Sequence, residues 1–267
     1  MTTRGSSSER SSYLERACAE AMTRSRSGYY SAPWERPRTG RSMLRSLSSR
    51  VSVIAEFKPR SPVAGELREV RSAAQLISEL IRGGADAISV LTEPVDFGGR
   101  PEYLRIASEL GAPTLMKDFV VSREQLEFAS RAGASAVLLI TQAFERHLCE
   151  LELEQMIREA HDVGLEVLLE VYRPEDLNKA LNSDADLIGI NSRDLDVLDL
   201  SLERARSIVE AVPEHERWRV VAESGIRSRD DVQPFIEMGV NKFLVGTALM
   251  LSSDPALVIR RIKGEGV

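Results

Sequence analysis

From residue 51 onward, short β-branched or apolar runs alternate with longer amphipathic stretches, the pattern of repeated βα units around a parallel sheet. Eight runs stand out: Ser52 to Phe57, Ala85 to Leu91, Pro113 to Met116, Ala134 to Ile140, Glu166 to Leu169, Leu187 to Ile190, Arg219 to Ala222 and Lys242 to Val245. Strands covered by helices on both faces are apolar almost throughout, as Ala136-Val137-Leu138-Leu139-Ile140 and Leu187-Ile188-Gly189-Ile190 are. Glycine phrases such as Gly83-Gly84-Ala85-Asp86, Leu110-Gly111-Ala112-Pro113, Ala132-Gly133-Ala134, Val163-Gly164-Leu165 and Met238-Gly239-Val240 precede several of them. A glycine there caps the preceding helix in the left-handed conformation before the chain enters the next strand. Eight such units predict an α/β protein, a (β/α)8 TIM barrel over residues 51–267. An open doubly wound sheet is the alternative, but no strand is followed by a GxGxxG turn.

Residues 1–50 form a separate segment, expected to be partly disordered and partly to cap the barrel, with a short helix from about Ser12 to Thr23. They hold ten Arg against four Glu, leaving 25 basic and 37 acidic residues for the rest. The Arg and Ser content raises a transit peptide as a reading, but Glu9, Glu15 and Glu20 break the acid-poor pattern such peptides keep.

Across all 267 residues the net charge is -6, which argues against a nucleic-acid binder and for a small-molecule ligand. No apolar stretch is long enough to span a bilayer. Two cysteines, Cys18 and Cys149, show neither metal spacing nor a disulfide framework, which fits a cytoplasmic setting. A monomer is expected rather than an oligomer. Lysine is scarce: thirty Arg accompany only Lys58, Lys117, Lys179, Lys242 and Lys263. A lysine kept in that background is expected where arginine cannot do the work.

Active sites of such barrels lie at the C-terminal ends of the strands. The residues there are Glu56 and Lys58, Ser89 with Thr92 and Glu93, Lys117 with Asp118, Thr141, Glu170, Asn191 with Arg193, Glu223 with Ser224, and Gly246 with Thr247. Burying so many ionisable groups costs stability unless they pair or work, so a salt-bridged rim is the plain reading and acid–base chemistry the functional one. Glu56 and Lys58, two apart on a strand, point to one side. Partial desolvation is expected to lower such a lysine's pKa toward the range where it both gives and takes protons. Glu223-Ser224-Gly225-Ile226 and Val245-Gly246-Thr247-Ala248 read as glycine turns entering helices after strands seven and eight. Backbone N–H groups at such turns make an anion site, and phosphates favour this position in barrels. His147, His161 and His215 lie away from the strand ends, so neither a histidine triad nor a zinc site is expected.

On these residues the chain resembles the indole-3-glycerol-phosphate synthases from Ser42 to Met250. The motifs are Ile54-Ala55-Glu56-Phe57-Lys58-Pro59-Arg60-Ser61-Pro62, Ala87 to Glu93 with Phe97-Gly98-Gly99, Leu115-Met116-Lys117-Asp118-Phe119, Gly189-Ile190-Asn191-Ser192-Arg193-Asp194-Leu195 and Ala222-Glu223-Ser224-Gly225-Ile226, in that order. The resemblance implies ring closure, decarboxylation and dehydration of 1-(2-carboxyphenylamino)-1-deoxyribulose 5-phosphate, with no cofactor or metal. It implies Lys117 as the general acid, Lys58 as carboxylate partner or second acid, Glu170 and Glu56 as bases or stabilisers of developing positive charge, and Asn191 and Glu223 as holders of the sugar hydroxyls, and it leaves open which lysine acts at ring closure and which at dehydration. Ser61, Ser224, Gly225, Gly246 and Thr247 match phosphate-binding positions, Arg193 a substrate-binding one, and Phe97 covers the aromatic ring. Three departures stand out: Val63-Ala64-Gly65 replaces a Ser-Lys-Gly turn, Val171-Tyr172 stands where the family often has Val-His or Ile-Asn after Glu170, and the N-terminal segment with Arg36-Pro37 and Arg41-Ser42 resembles the family's capping helix and loop only in general terms. A phosphoribosylanthranilate isomerase on the same barrel would use a cysteine and an aspartate, and neither cysteine is at a strand end. A catalytically inactive ligand-binding barrel is the other alternative, and it would be marked by loss of Lys58, Lys117 or Glu170.

Overall fold

The computed structural model describes residues 11–35 and 41–265. The extreme N-terminus, expected to be disordered, and Arg36-Pro37 lie outside the described residues. Eight parallel strands close into a barrel in chain order: β1 Ser52–Phe57, β2 Ala87–Leu91, β3 Thr114–Lys117, β4 Ala136–Ile140, β5 Glu166–Val171, β6 Leu187–Asn191, β7 Val220–Glu223 and β8 Lys242–Val245, with β1 pairing both β2 and β8. The (β/α)8 barrel expected from the hydrophobic pattern is therefore the fold. Several strands run one or two residues beyond the apolar signal, taking in Lys117, Glu170, Asn191 and Glu223. Ladder bonds continue through a polar residue when the neighbouring strand is level with it, as Asn191 is with Glu223 and Glu170 with Gly189.

Side chains alternate between the two faces of the barrel wall. Ile54, Ala87, Leu115, Ala136, Leu138, Leu168, Leu187, Val221 and Leu244 share the inner cluster. Val53, Ala55, Phe57, Ile88, Val90, Val137 and Leu139 face outward into the larger cluster with the helices. The glycines expected to end helices, Gly84, Gly111, Gly133, Gly164 and Gly239, all have positive φ. A short antiparallel hairpin, Arg60–Ser61 with Gly65–Glu66, rises after β1; the hydrophobic pattern carries no sign of it.

The N-terminal segment touches both ends of the barrel. Helix α1, Tyr13–Arg26, is held at its start by Ser12 and Glu15 in a reciprocal capping box. It runs three residues past the expected end, and Leu14, Ala17, Cys18 and Ala21 join the inner cluster beside Phe119, Ile140 and Ala143 at the strands' C-terminal ends. A one-turn helix, α2, Met43–Ser46, sits at the opposite end, where Leu44 N–H donates to Glu166 at 2.9 Å and the Ser42 hydroxyl bonds the same carboxylate. Glu166 is the first residue of β5. Met43 and Leu47 thereby close the floor of the inner cluster.

Met43 is fully buried there, so Met43→Ala leaves a void that the barrel wall cannot fill and is expected to cost about 2–5 kcal/mol. Chemical denaturation measures this, and a loss below about 1 kcal/mol would mean that the floor is seated loosely.

Candidate active site

A cavity of about 290 Å³ opens at the C-terminal ends of the strands. Glu56, Lys58, Lys117, Glu170 and Asn191 line its middle; Ser61, Arg193, Ser224, Gly225, Gly246 and Thr247 line it as well, as does Phe97. Glu223 stands directly behind, bonded to Lys117. The barrel thus gathers residues as distant in the chain as Glu56 and Gly246 at one cavity, whereas Ser89, Thr92 and Thr141, also at strand ends, do not line it.

Lys117 Nζ donates to Glu223 Oε2 at 3.2 Å and to Glu170 Oε2 at 3.4 Å, and Lys58 Nζ lies 2.6 Å from Glu56 Oε1. Three buried carboxylates therefore share two ammonium groups. Burial opposes the charge on Lys117, but Glu223, then Glu170 and Glu56, outweigh it and hold the amine above its ordinary value. The expectation that desolvation would lower a catalytic lysine's pKa is corrected for Lys117: it keeps its proton because the ion pairs win. Burial likewise works against ionised Glu56, and Lys58, with Lys117 and Arg193 beyond it, holds the carboxyl below its usual value. Glu223 goes the other way. Burial pushes it up to about 7, with Glu170 and Glu56 adding to the rise and Lys117 opposing it.

Two glycines make room for these acids. A Cβ on Gly189 would lie 2.1 Å from Glu223 Oε1, and one on Gly246 would lie 2.3 Å from Glu56 Oε1. Gly246 has a negative φ, so what it supplies is close approach rather than a left-handed turn. The left-handed conformation occurs instead at Ser224 and Gly225, with φ of 65° and 78°. Asn191 Oδ1 accepts from the backbone N–H of Arg193 at 2.9 Å, and Arg193 Nη1 donates to Leu198 O at 2.7 Å, folding that loop over the cavity. The Ser61 hydroxyl accepts from Val63 and Ala64 N–H across the hairpin tip.

The cavity has two unlike poles. Beside β1, β7 and β8 its polar groups are the Ser224-Gly225 turn, Gly246-Thr247 and Ser61, with Leu200, Leu202 and Ile226 packed around them; beside β2, β3 and β4 it is formed by Leu91, Phe97, Phe119, Leu138 and Ile140. Phe97 and Phe119 lie 6.4 Å apart between ring centroids. Most of this apolar wall was missed in the sequence, because a Leu or Ile at the end of an inner strand looks the same as one in the core. Glu93 and Asp118 stand at strand ends but bond to backbone and to α1. Tyr172, the departure after Glu170, is buried and lies under the Arg204 guanidinium, 4.7 Å from the ring centroid. Among the described residues, no group of His, Cys, Asp and Glu is placed to hold a metal ion. No described helix is long and apolar enough to cross a membrane. Of the five lysines, Lys58 and Lys117 meet the cavity, while Lys242 and Lys263 are spent on buried structural contacts to Trp218 O and Asp86.

Fold and charge ring together define the class: a (β/α)8-barrel enzyme with paired acids and bases at its strand ends. Comparison with known proteins sharpens this. The family model for indole-3-glycerol phosphate synthase matches residues 24–262. A protein of that name from Methanopyrus kandleri is 41% identical over 231 residues, covering 85% of this chain and 89% of its own length. Another from Koribacter versatilis is 36% identical over 259 residues, covering 97% and 92%. The chain belongs to the indole-3-glycerol phosphate synthase family, a family of carboxy-lyases of tryptophan biosynthesis. Among solved structures, 3-hexulose-6-phosphate synthase from Salmonella typhimurium shares the fold at 15% identity, with a TM-score of 0.58 over 80% of this chain and 97% of that one. Thiamine phosphate pyrophosphorylase from Pyrococcus furiosus does so at 19% identity, with a TM-score of 0.57 over 82% and 96%.

The raised Glu223 carboxyl has a thermodynamic consequence. Between pH 4.5 and about 7 the folded protein holds a proton on Glu223 that the unfolded chain has lost, so this group's stabilising contribution is lost as pH rises through that window. Glu223→Gln carries no titrating proton there. The stability of the variant relative to wild type is expected to rise with pH across the window, read from denaturant midpoints at a series of pH values. A difference independent of pH would show that Glu223 ionises normally.

Proposed function

We propose that this chain closes the indole ring, converting 1-(2-carboxyphenylamino)-1-deoxyribulose 5-phosphate into indole-3-glycerol phosphate, carbon dioxide and water. The observation that carries the proposal is the two-poled cavity, with a ring of lysines and carboxylates between an apolar aromatic wall and a cluster of turns rich in backbone N–H groups. A substrate with an aromatic ring at one end, a phosphate at the other and a ketone between them matches that order. The Ser224-Gly225 turn, Gly246, Thr247 and Ser61 hold the phosphate, while Arg193 lends positive charge at the loop above. Phe97 and Phe119 pack against the aromatic ring.

Ring closure joins the carboxylate-bearing aromatic carbon to the ketone carbon, and the ketone oxygen must gain a proton as the bond forms. Lys117, held as an ammonium by Glu170 and Glu223, is the donor. Loss of carbon dioxide returns the electron pair to the ring. Dehydration then needs an acid for the departing hydroxyl and a base for the proton on the neighbouring carbon, and the Lys58–Glu56 pair and Glu170 supply both kinds of group. The carboxylate that leaves is balanced until that moment by Lys58. Asn191 orients the sugar hydroxyls with Glu223 acting from behind Lys117, and Oε1 of Glu170, a lining residue, is bonded to no described protein group and is free to accept from them. Positioning and acid–base catalysis together account for the chemistry. The reading places the enzyme in the cytoplasm as a monomer.

The direct test mixes purified protein with the anilino-deoxyribulose phosphate and follows indole absorbance; folded protein giving no signal above buffer sinks the proposal and leaves an inactive ligand-binding barrel. Lys117→Arg is expected to fold and to lose about 10²- to 10⁴-fold in kcat, the usual contribution of a general acid. Arginine keeps the charge, but its planar, delocalised fork reaches differently from the compact ammonium and is the weaker proton donor. A change in KM alone would make Lys117 a binding residue.

A further inference from the structure

Outside the charge ring, a second set of buried charges ties the N-terminal helix to the aromatic wall. Arg24, near the end of α1, lies with Nη1 3.5 Å from Glu93 Oε1 and Nη2 3.3 Å from Asp118 Oδ1. Both carboxylates are almost wholly buried. Among the described residues, Arg24 is the one cation paired with either of them. Each carboxylate in turn fixes a piece of the cavity. Glu93 accepts the backbone N–H groups of Val95 at 2.9 Å, Asp96 at 2.7 Å and Phe97 at 2.9 Å, which shapes the loop that presents Phe97. Asp118 follows Lys117 directly and accepts from Thr92 Oγ1 at 2.6 Å, Tyr30 OH at 2.8 Å and Phe119 N–H at 2.8 Å. Tyr13, at the other end of α1, packs edge-on against Phe119 with centroids 6.1 Å apart and donates to Asp96 at 2.8 Å.

We propose that Arg24 is a positioning residue for the aromatic slot: by neutralising Glu93 and Asp118 together, it holds the Phe97 loop and the Lys117-Asp118-Phe119 strand end at a fixed separation. This rests on the aryl end of the substrate packing against the wall formed by Phe97 and Phe119, as in the reading above. Without the guanidinium, two buried carboxylates face each other uncompensated. The pair can move apart or take up water, and either widens the slot and shifts Lys117; the competing relief is protonation of Asp118, whose carboxyl burial already pushes up, and that would leave the slot as it is. Arg24 reaches the two carboxylates from two different nitrogens, Nη1 and Nη2, a spread that the single nitrogen of a shorter lysine does not reproduce. Arg24 touches no substrate atom in this scheme.

The test uses the full-length chain with Arg24→Gln, Arg24→Lys and, as a neutral substitution on the exposed face of the same helix, Arg16→Gln. Three quantities are measured: affinity for indole-3-glycerol phosphate, which has both ends; affinity for glycerol 3-phosphate, which has only the phosphate end; and amide hydrogen exchange at Val95, Asp96 and Phe97. Arg24→Gln is expected to weaken the indole ligand about tenfold to a hundredfold, since small misplacements near a site carry costs of that order. It should also speed exchange at the three amides and leave glycerol 3-phosphate affinity within about twofold of wild type. Arg24→Lys should restore part of both losses, and Arg16→Gln should match wild type. Unchanged amide exchange with unchanged indole affinity overturns the proposal. So does equal weakening of both ligands, which signals a general loosening of the barrel mouth. Should Arg24→Gln fail to fold, Glu93→Gln removes one of the two charge contacts, and the same three measurements decide. If wild type binds no indole ligand, the functional reading fails, while amide exchange still reports whether Arg24 holds the loop.

Discussion

Lys117 Nζ sits between Glu223 and Glu170 at the ends of three inner strands, and most of the cavity is arranged around keeping that ammonium in place. A lone buried charge of either sign would cost several kcal/mol. With two carboxylates on Lys117 and a third on Lys58, the ring carries one acid more than it has bases. Burial resolves the surplus by raising Glu223 toward neutrality, so a shared proton stands in for the missing cation.

The barrel provides the geometry that this balance needs. Period-two alternation sends Glu56, Lys117, Glu170, Asn191 and Glu223 inward at one level, while Ile54, Leu115, Leu168, Leu187 and Val221 fill the space beneath them. Apolar packing below and charge above leave the carboxylates little room to relax. Gly189 and Gly246 are glycine because a Cβ at either would occupy the position of a Glu223 or Glu56 oxygen. Stability and chemistry thus compete for the same few ångströms at the strand ends, and the small residues lie where chemistry takes the space.

The N-terminal segment acts on both ends of this arrangement. Its first helix brings Tyr13 and Arg24 to the loop and strand end that carry Phe97 and Phe119. Ser42 and Leu44 clamp Glu166 beneath the barrel floor. Ser12 and Asp196 both bond Arg146, which joins the start of α1 to the loop that holds Arg193 and Leu195. A segment that looks from its charge like an appendage is built into the mouth through ion pairs that need tertiary partners.

The chain's own pattern determined the eight strands, their order and the inward set of polar strand ends, because alternation and helix-capping glycines are local consequences of backbone geometry. The site residues were legible for the same reason: a Glu, Lys or Asn closing an apolar run is conspicuous in one dimension. Local pattern could not show which acid pairs with which base, since Lys117 meets Glu170 and Glu223 from 53 and 106 residues away. Nor could it give the direction in which Lys117 titrates, because that is decided by the contest between burial and three distant carboxylates. The apolar wall of Leu91, Phe119, Leu138 and Ile140 was likewise hidden, as a cavity-lining Leu and a core Leu have the same hydrophobicity and differ only in what faces them. Gly189 and Gly246 show the division most clearly. Their sequence contexts are an apolar strand and a turn, but their necessity comes from oxygen atoms of Glu223 and Glu56 that only closure of the barrel brings against them.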